Sequence, residues 1–222
     1  MSYSTFMKVA ALAGVTTVGV GDSGMLTANL MGQQMRLAPV DSLLFRDINS
    51  GEPVAFRAGE GGRITHAFVG LVPMMAMERN DGLAAPRLHL IVLGLGLVVF
   101  LLTAGAALVR RFTPKERRPS PLPGRPYVVG LSLAFLAGAG AIAASAAKVE
   151  DLLYNRLGKL EVALALPVIG ALLTVGALVA AVRQWRNGAG TRWERLRYAA
   201  VVAVALLFVW SLNSWNLLGW RM

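Results

Sequence analysis

"LHLIVLGLGLVVFLLTAGAALV", Leu88 to Val109, runs 22 residues without an Asp, Glu, Lys or Arg. As an α-helix rising 1.5 Å per residue, it is long enough to cross a hydrocarbon layer of ~30 Å. Three further runs follow it, Tyr127–Ala147, Val162–Val182 and Tyr198 to about Leu218, and none carries a charge within its span. The composition agrees: 55% of the residues are hydrophobic and mean hydropathy is +0.57, above the roughly 45 to 50% apolar usage of soluble domains. The spans predict a four-helix transmembrane domain over residues 87–222, with the lipid bilayer as its partner.

The charge pattern sets an expected orientation. The chain carries +10, which in a soluble protein would suggest a nucleic-acid partner. However, Met1 to Arg87 holds seven basic residues against seven acidic ones. The whole excess therefore lies among the spans, and no nucleic-acid partner is expected. The first loop holds Arg110, Arg111, Lys115, Arg117, Arg118 and Arg125, and the third holds Arg183, Arg186, Arg192, Arg195 and Arg197. The second has only Lys148, Arg156 and Lys159, offset by Glu150 and Asp151. Lysine and arginine mark cytoplasmic loops, so loops 110–126 and 183–197 are expected inside the cell. The N-terminal domain is then extracytoplasmic, and the protein spans the cell (inner) membrane several times. The first loop is also proline-rich, at Pro114, Pro119, Pro121, Pro123 and Pro126, which makes it a stiff connector.

Within the spans, small residues recur at spacings of four: Ala134, Gly138 and Ile142; Ala137, Ala141 and Ser145; Gly176 and Ala180. Such stripes allow helices to approach closely, either within one bundle or across a dimer. Packing within the bundle is the expectation. The spans offer hydroxyls and amides such as Thr103, Ser145, Thr174 and Asn213 rather than ionisable groups, which disfavours an ion pathway. Cysteine is absent, removing disulfides and thiolate metal sites.

The first 86 residues read as a separate β-rich domain. Short β-prone runs at Val15–Val20, Met25–Met31, Gln34–Val40, Ser42–Arg46, Pro53–Arg57 and Arg63–Val72 alternate with turn residues such as Asn49, Ser50 and Gly51, then Gly59 to Gly62. In the second run Leu26, Ala28 and Leu30 alternate with Thr27 and Asn29, the period of a strand buried on one face. The expected fold is a small antiparallel all-β meander, a partial barrel or curved sheet, ahead of a four-helix transmembrane bundle. A signal peptide starting at Lys8 is disfavoured because Thr16, Thr17 and several glycines dilute its apolar stretch.

No catalytic, cofactor-binding or metal site is expected. Ser23, Asp41 and His66 form a triad only on paper, because nothing in their spacing fixes a geometry. His66 and His89 have no carboxylate or cysteine at ligand spacing. Gly94 and Gly96 lie inside an apolar helix, so they are no dinucleotide loop. The Gly59–Gly62 run is read as a hairpin turn, and the loop arginines as setting orientation, with contact to anionic lipid as the other use.

The stretch "GDSGMLTANLMGQQMRLAPVDSLLFRDINSGEPVAFRAGEGGRITHAFVGLVPMMAMER", Gly21 to Arg79, resembles the β-rich C-terminal accessory domain of membrane-anchored serine hydrolases related to class C β-lactamases and penicillin-binding proteins (the CubicO type). The resemblance lies in the glycine turn with its "LTANL" strand, the "LAPVDSLLFR" strand pair, the "VAFRAGEGGRITHAF" hairpin and the closing P-x-x-A-x-E-R segment. It covers about the first 80 residues by motif and the rest by layout. It implies a chain that follows a catalytic domain and ends in four transmembrane helices. Catalysis in that family needs Ser-x-x-Lys on one helical turn and a tyrosine motif. Tyr-x-Asn does not occur, since Tyr154 is followed directly by Asn155, and the family's catalytic motifs are expected to be missing here. The chain is thus expected to be a non-catalytic anchoring and accessory C-terminal part of such a hydrolase, beside a catalytic domain. The alternative is an independent small membrane scaffold that binds another envelope protein through its β-domain.

Overall fold

The computed structural model describes residues 16–21, 24–30, 33–70, 76–114, 122–146 and 158–218, and the side chains of these except 145–146 and 158–163. The chain divides between Pro86 and Arg87 into two compact units.

In the first unit seven strands form one antiparallel sheet in sequence order, a half-barrel meander. They are β1 (Thr17–Val20), β2 (Leu26–Leu30), β3 (Gln33–Asp41), β4 (Leu44–Asp47), β5 (Pro53–Ala58), β6 (Ile64–Val69) and β7 (Ala76–Glu78). The alternation in β2 does what its period implies. Ala28 and Leu30 are buried with Met35, Leu37, Val54 and Val69, and Leu26, Phe45, Phe56 and Met77 pack against them. Thr27 and Asn29 face out. Phe45 meets Phe56 edge to face at 5.5 Å, a cross-strand aromatic pair of the kind that holds register.

Turn chemistry fixes the hairpins. Gly61 and Gly62 take φ of 77° and 74° in the tight turn from β5 to β6, where a side chain would be strained. The β4–β5 turn is organised by Asp47, which is only 4% exposed. Its carboxylate accepts from the Arg36 amide at 3.0 Å, the Ser50 amide at 3.0 Å and the Ser50 hydroxyl at 2.6 Å. The hydroxyl of Ser50 foremost, helped by backbone amides and against the cost of burial, holds the Asp47 carboxyl below the ordinary carboxylate range. Strand β7 is an addition to the six runs expected from the sequence. Its three residues are too few for a periodic signal.

The second unit contains four helices long and apolar enough to cross a membrane: α1 (Pro86–Phe112), α2 (Arg125–Ala146), α3 (Gly158–Asn187) and α4 (Arg192–Ser214). This is the architecture of a multi-pass membrane protein. Large apolar side chains such as Leu95, Leu101, Leu102, Leu172 and Val175 lie exposed along the helices, as expected where the surrounding solvent is lipid.

A layer of phenylalanine joins all four helices. Phe100 of α1, Phe135 of α2 and Phe208 of α4 meet with ring centroids 4.9 to 5.2 Å apart. Glycines make room for them: Phe208 lies against Gly96 of α1, and Phe135 against Gly170 of α3. Residues of two of the small-residue stripes, Ala134 with Gly138 and Gly176 with Ala180, pack inside the bundle as well, whereas Ala137 of the remaining stripe is exposed. A Cβ on Gly138 would fall 2.9 Å from Pro167, and one on Gly176 would fall 2.8 Å from the Tyr127 ring. Ala134 and Ala180 are buried.

Candidate functional site

Of the three residues imagined as a triad, two lie in the described sheet, Asp41 on β3 and His66 on β6. Ser23 lies outside the described residues. Asp41, at the end of β3, accepts from the neighbouring Ser42 amide at 2.6 Å. His66, on β6, bonds its neighbour Thr65 at 3.0 Å and stacks on Phe68. No described contact joins Asp41 to His66. His66 belongs to the sheet and His89 to the bundle, and no group of three His, Cys, Asp or Glu able to hold a metal occurs among the described residues. Gly94 and Gly96 lie in mid-helix as expected, Gly96 serving as a seat for Phe208.

A Ser-x-x-Lys spacing does occur once, which corrects the expectation that the family's motifs are all missing: Ser145-Ala146-Ala147-Lys148. Ser145 falls in the last turn of α2, which ends at Ala146, while Lys148 lies outside the described residues. Tyr-x-Asn does not occur in the sequence, so the pair lacks the tyrosine that the family's chemistry uses.

Two polar constellations emerge in the bundle instead. The first surrounds His89, near the start of α1, which is 1% exposed. Its Nδ1 shares a hydrogen bond of 2.9 Å with the hydroxyl of Ser211 on α4. The ring stacks on Trp210 at 4.7 Å and meets Trp215 edge to face at 5.7 Å. Asn216, also buried, takes a φ of 53° just beyond α4. A histidine bonded to a serine is the arrangement of a base and a nucleophile. Here both groups are sealed between helices and covered by indoles, so no substrate carbonyl reaches the hydroxyl while the helices stay packed. The arrangement is a latch between α1 and α4.

Sequence reasoning missed this contact. It treated His89 only as a partner for His66, although an imidazole one residue inside an apolar span was a signal for a buried polar partner. The other hydroxyls satisfy themselves: Thr103, Ser132 and Thr174 each donate to the carbonyl four residues earlier, the usual behaviour of such side chains in apolar helices.

The second constellation lies where α2 begins, α3 ends and α4 begins. Gln184 donates to the Pro123 carbonyl and Tyr198 donates to the Gly124 carbonyl at 3.0 Å, so these two side chains cap the turn that starts α2. The helix α4 opens with a capping box: the Thr191 hydroxyl accepts from the Glu194 amide at 3.2 Å, and the Glu194 carboxylate accepts from the Thr191 amide at 2.9 Å. The Arg195 guanidinium lies over the Trp185 ring at 5.1 Å, and Arg197 lies over Trp193 at 5.5 Å. Two buried polar atoms here have no partner among the described residues, Gln184 Oε1 and Arg195 Nε.

Comparison of the chain with family models, with curated proteins and with solved structures found no match.

Proposed function

We propose that this chain is the membrane-anchoring and accessory part of a serine hydrolase related to class C β-lactamases, with no chemistry of its own. The observation that carries the reading is the succession of a seven-stranded antiparallel sheet and four membrane-length helices. That layout is the one implied by the motif resemblance over Gly21–Arg79. The bundle holds the protein in the cell membrane, and the sheet packs beside a catalytic domain and shapes access to it. Loops 110–126 and 183–197 face the cytoplasm, and the β-domain faces outward, following the arginine bias.

The test is twofold. A serine-reactive fluorophosphonate probe leaves this chain unlabelled, and the reading frame just upstream of its coding sequence encodes a domain with Ser-x-x-Lys and Tyr-x-Asn. Specific labelling of the isolated chain refutes the non-catalytic reading. An unrelated upstream frame favours the scaffold alternative, in which strand β1 recruits another envelope protein. That strand pairs only with β2 among the described strands and leaves Val20 82% exposed.

A further inference from the structure

We infer that the outer face of strands β4 to β7 rests on the interfacial layer of a lipid bilayer, through an apolar row centred on Phe68. Strand register builds this row. Leu44 stands opposite Ala55, Ala55 opposite Phe68, and Phe68 opposite Ala76, so the four side chains share one face across four strands. Their neighbours along each strand, Phe45, Val54, Val69 and Met77, belong to the core on the other face. Leu44 and Phe68 are left 37% and 38% exposed, and Ala76 is exposed beside them.

The water-facing side of an antiparallel sheet normally alternates polar residues with the core. Strands β2 and β3 follow that rule, with Thr27, Asn29 and Gln34 exposed. The Phe68 row departs from it, and charged groups stand only at its margins. Arg46 lies two residues along β4 from Leu44, and Arg57 two residues along β5 from Ala55. His66 and Glu78 continue the Arg57 row across β6 and β7, and Asp41 stands opposite Leu44 on β3. Two arginines and two acids cancel, so the attraction is apolar, and the arginine stems are long enough to carry their charge to the headgroups.

Two observations favour lipid over a protein partner. The row presents only two large apolar side chains, whereas a standard protein interface takes ~20 to 30 residues a side. Covalent structure also keeps this face near a membrane. Residues 79–85 join β7 to α1, and from Glu78 to Pro86 such a chain reaches about 28 Å at full extension. Asp81 shortens it: its carboxylate accepts from Arg63 at 2.6 Å and from Arg79 at 3.1 Å, which holds the connector to the start of β6. From Asp81 to Pro86 the reach is about 18 Å. Between them Leu83 is 75% exposed, a further apolar group on the way to the lipid. A tether this short makes the effective concentration of the surface high, so a small apolar contact suffices. The inference rests on the helices crossing a bilayer and not on the hydrolase reading. A chain that stays soluble without detergent overturns it through that premise, whereas fluorophosphonate labelling leaves it standing.

The test uses the full chain in phosphatidylcholine nanodiscs that contain a lipid with a nitroxide on its acyl chain. A single cysteine carrying a bimane fluorophore is placed in the row (A76C) or on the far edge strand (V20C), where Val20 faces the core side with Leu26 and is 82% exposed. Bimane at A76C is expected to be quenched at least threefold more than at V20C. Adding L44S/F68S is expected to bring A76C down to the V20C level. Should that pair fail to fold, seen as lost exchange protection at Arg36 and Ser50, L44Q alone leaves Phe68 stacked on His66 and is expected to weaken the quenching severalfold. Replacing a third of the phosphatidylcholine by phosphatidylglycerol is expected to change the quenching less than twofold.

Equal quenching at A76C and V20C overturns the proposal. So does quenching that survives both L44S/F68S and L44Q, because the row is then not what touches the lipid. Contact that appears only with phosphatidylglycerol reduces the effect to charge and overturns the apolar reading. An A76C probe unquenched in nanodiscs, at a position closed to maleimide in native membranes, marks a protein on this face and refutes the lipid.

Discussion

Asp47 shows how a single side chain organises a turn that the sequence marked only as polar. Its folded-state pKa is depressed, so it contributes stability that is fully present above the ordinary carboxylate value. That stability is lost as the pH falls through the lowered value. Amides of the β3–β5 region, those of Arg36 and Ser50 foremost, are expected to lose protection from hydrogen exchange as the pH drops below about 4. Asp47→Asn removes this pH dependence, because it has no carboxylate to protonate. It also costs about 1 to 3 kcal/mol at neutral pH, because one of the donated hydrogen bonds then meets an NH2 group. Exchange mass spectrometry on peptides from that region measures both effects.

At the same scale, the His89–Ser211 bond predicts a coupling of about 0.6 to 1.7 kcal/mol in a double-mutant cycle of His89→Ala and Ser211→Ala. Unfolding in detergent followed by tryptophan emission reads it, since all five tryptophans lie beyond residue 184 and Trp210 touches the His89 ring. Additive losses would show that the imidazole and the hydroxyl act independently. Asp47 and His89 were visible as letters, but their partners are 122 residues away for His89 and on another strand for Arg36 and Asp47. Local patterning holds no record of such distances.

Elements were the most legible scale. Apolar length alone located the four spans, because a lipid-spanning helix needs an unbroken greasy run and little else. Their ends were less legible. The fourth span was expected from Tyr198 to about Leu218, whereas α4 runs from Arg192 to Ser214. Charged residues hid its first turns, although Thr191-x-x-Glu194 carries the capping-box pattern. The far end stops where Asn216 turns into positive φ. Thr191→Ala is expected to destabilise the start of α4 by about 1 kcal/mol, visible as faster hydrogen exchange in its first turn. The helix α3 runs through Pro167 without breaking, which an apolar bundle tolerates when neighbours pack around the freed carbonyl, and Gly138 packs against that proline. Gly138→Leu is expected to separate α2 from α3, and a cross-link engineered between them would then form in low yield.

For the molecule as a whole, the absence of cysteine makes orientation open to a clean measurement. Single cysteines at Asn80, Thr113 and Ala189 can be challenged with a membrane-impermeant maleimide on intact cells. Asn80→Cys is expected to label, and Thr113→Cys and Ala189→Cys to stay protected until the membrane is permeabilised. The reverse pattern would refute the orientation proposed from the arginine bias. Fold class was readable at this scale because composition, charge distribution and two kinds of periodicity point the same way. The two polar constellations were not, because each is made by side chains from separate spans.

The first helix meets its neighbours along one narrow line, with His89, Gly96 and Phe100 as its buried residues. Those positions are spaced by seven and then four, nearly straight along a helix of 3.6 residues per turn. A twist of α1 about its own axis by a single residue, about 100°, would therefore unseat all three together. The helix is keyed like a shaft in a slot: torque applied at either end is resisted along the whole line at once, while tilting away from the line opens it one tooth at a time.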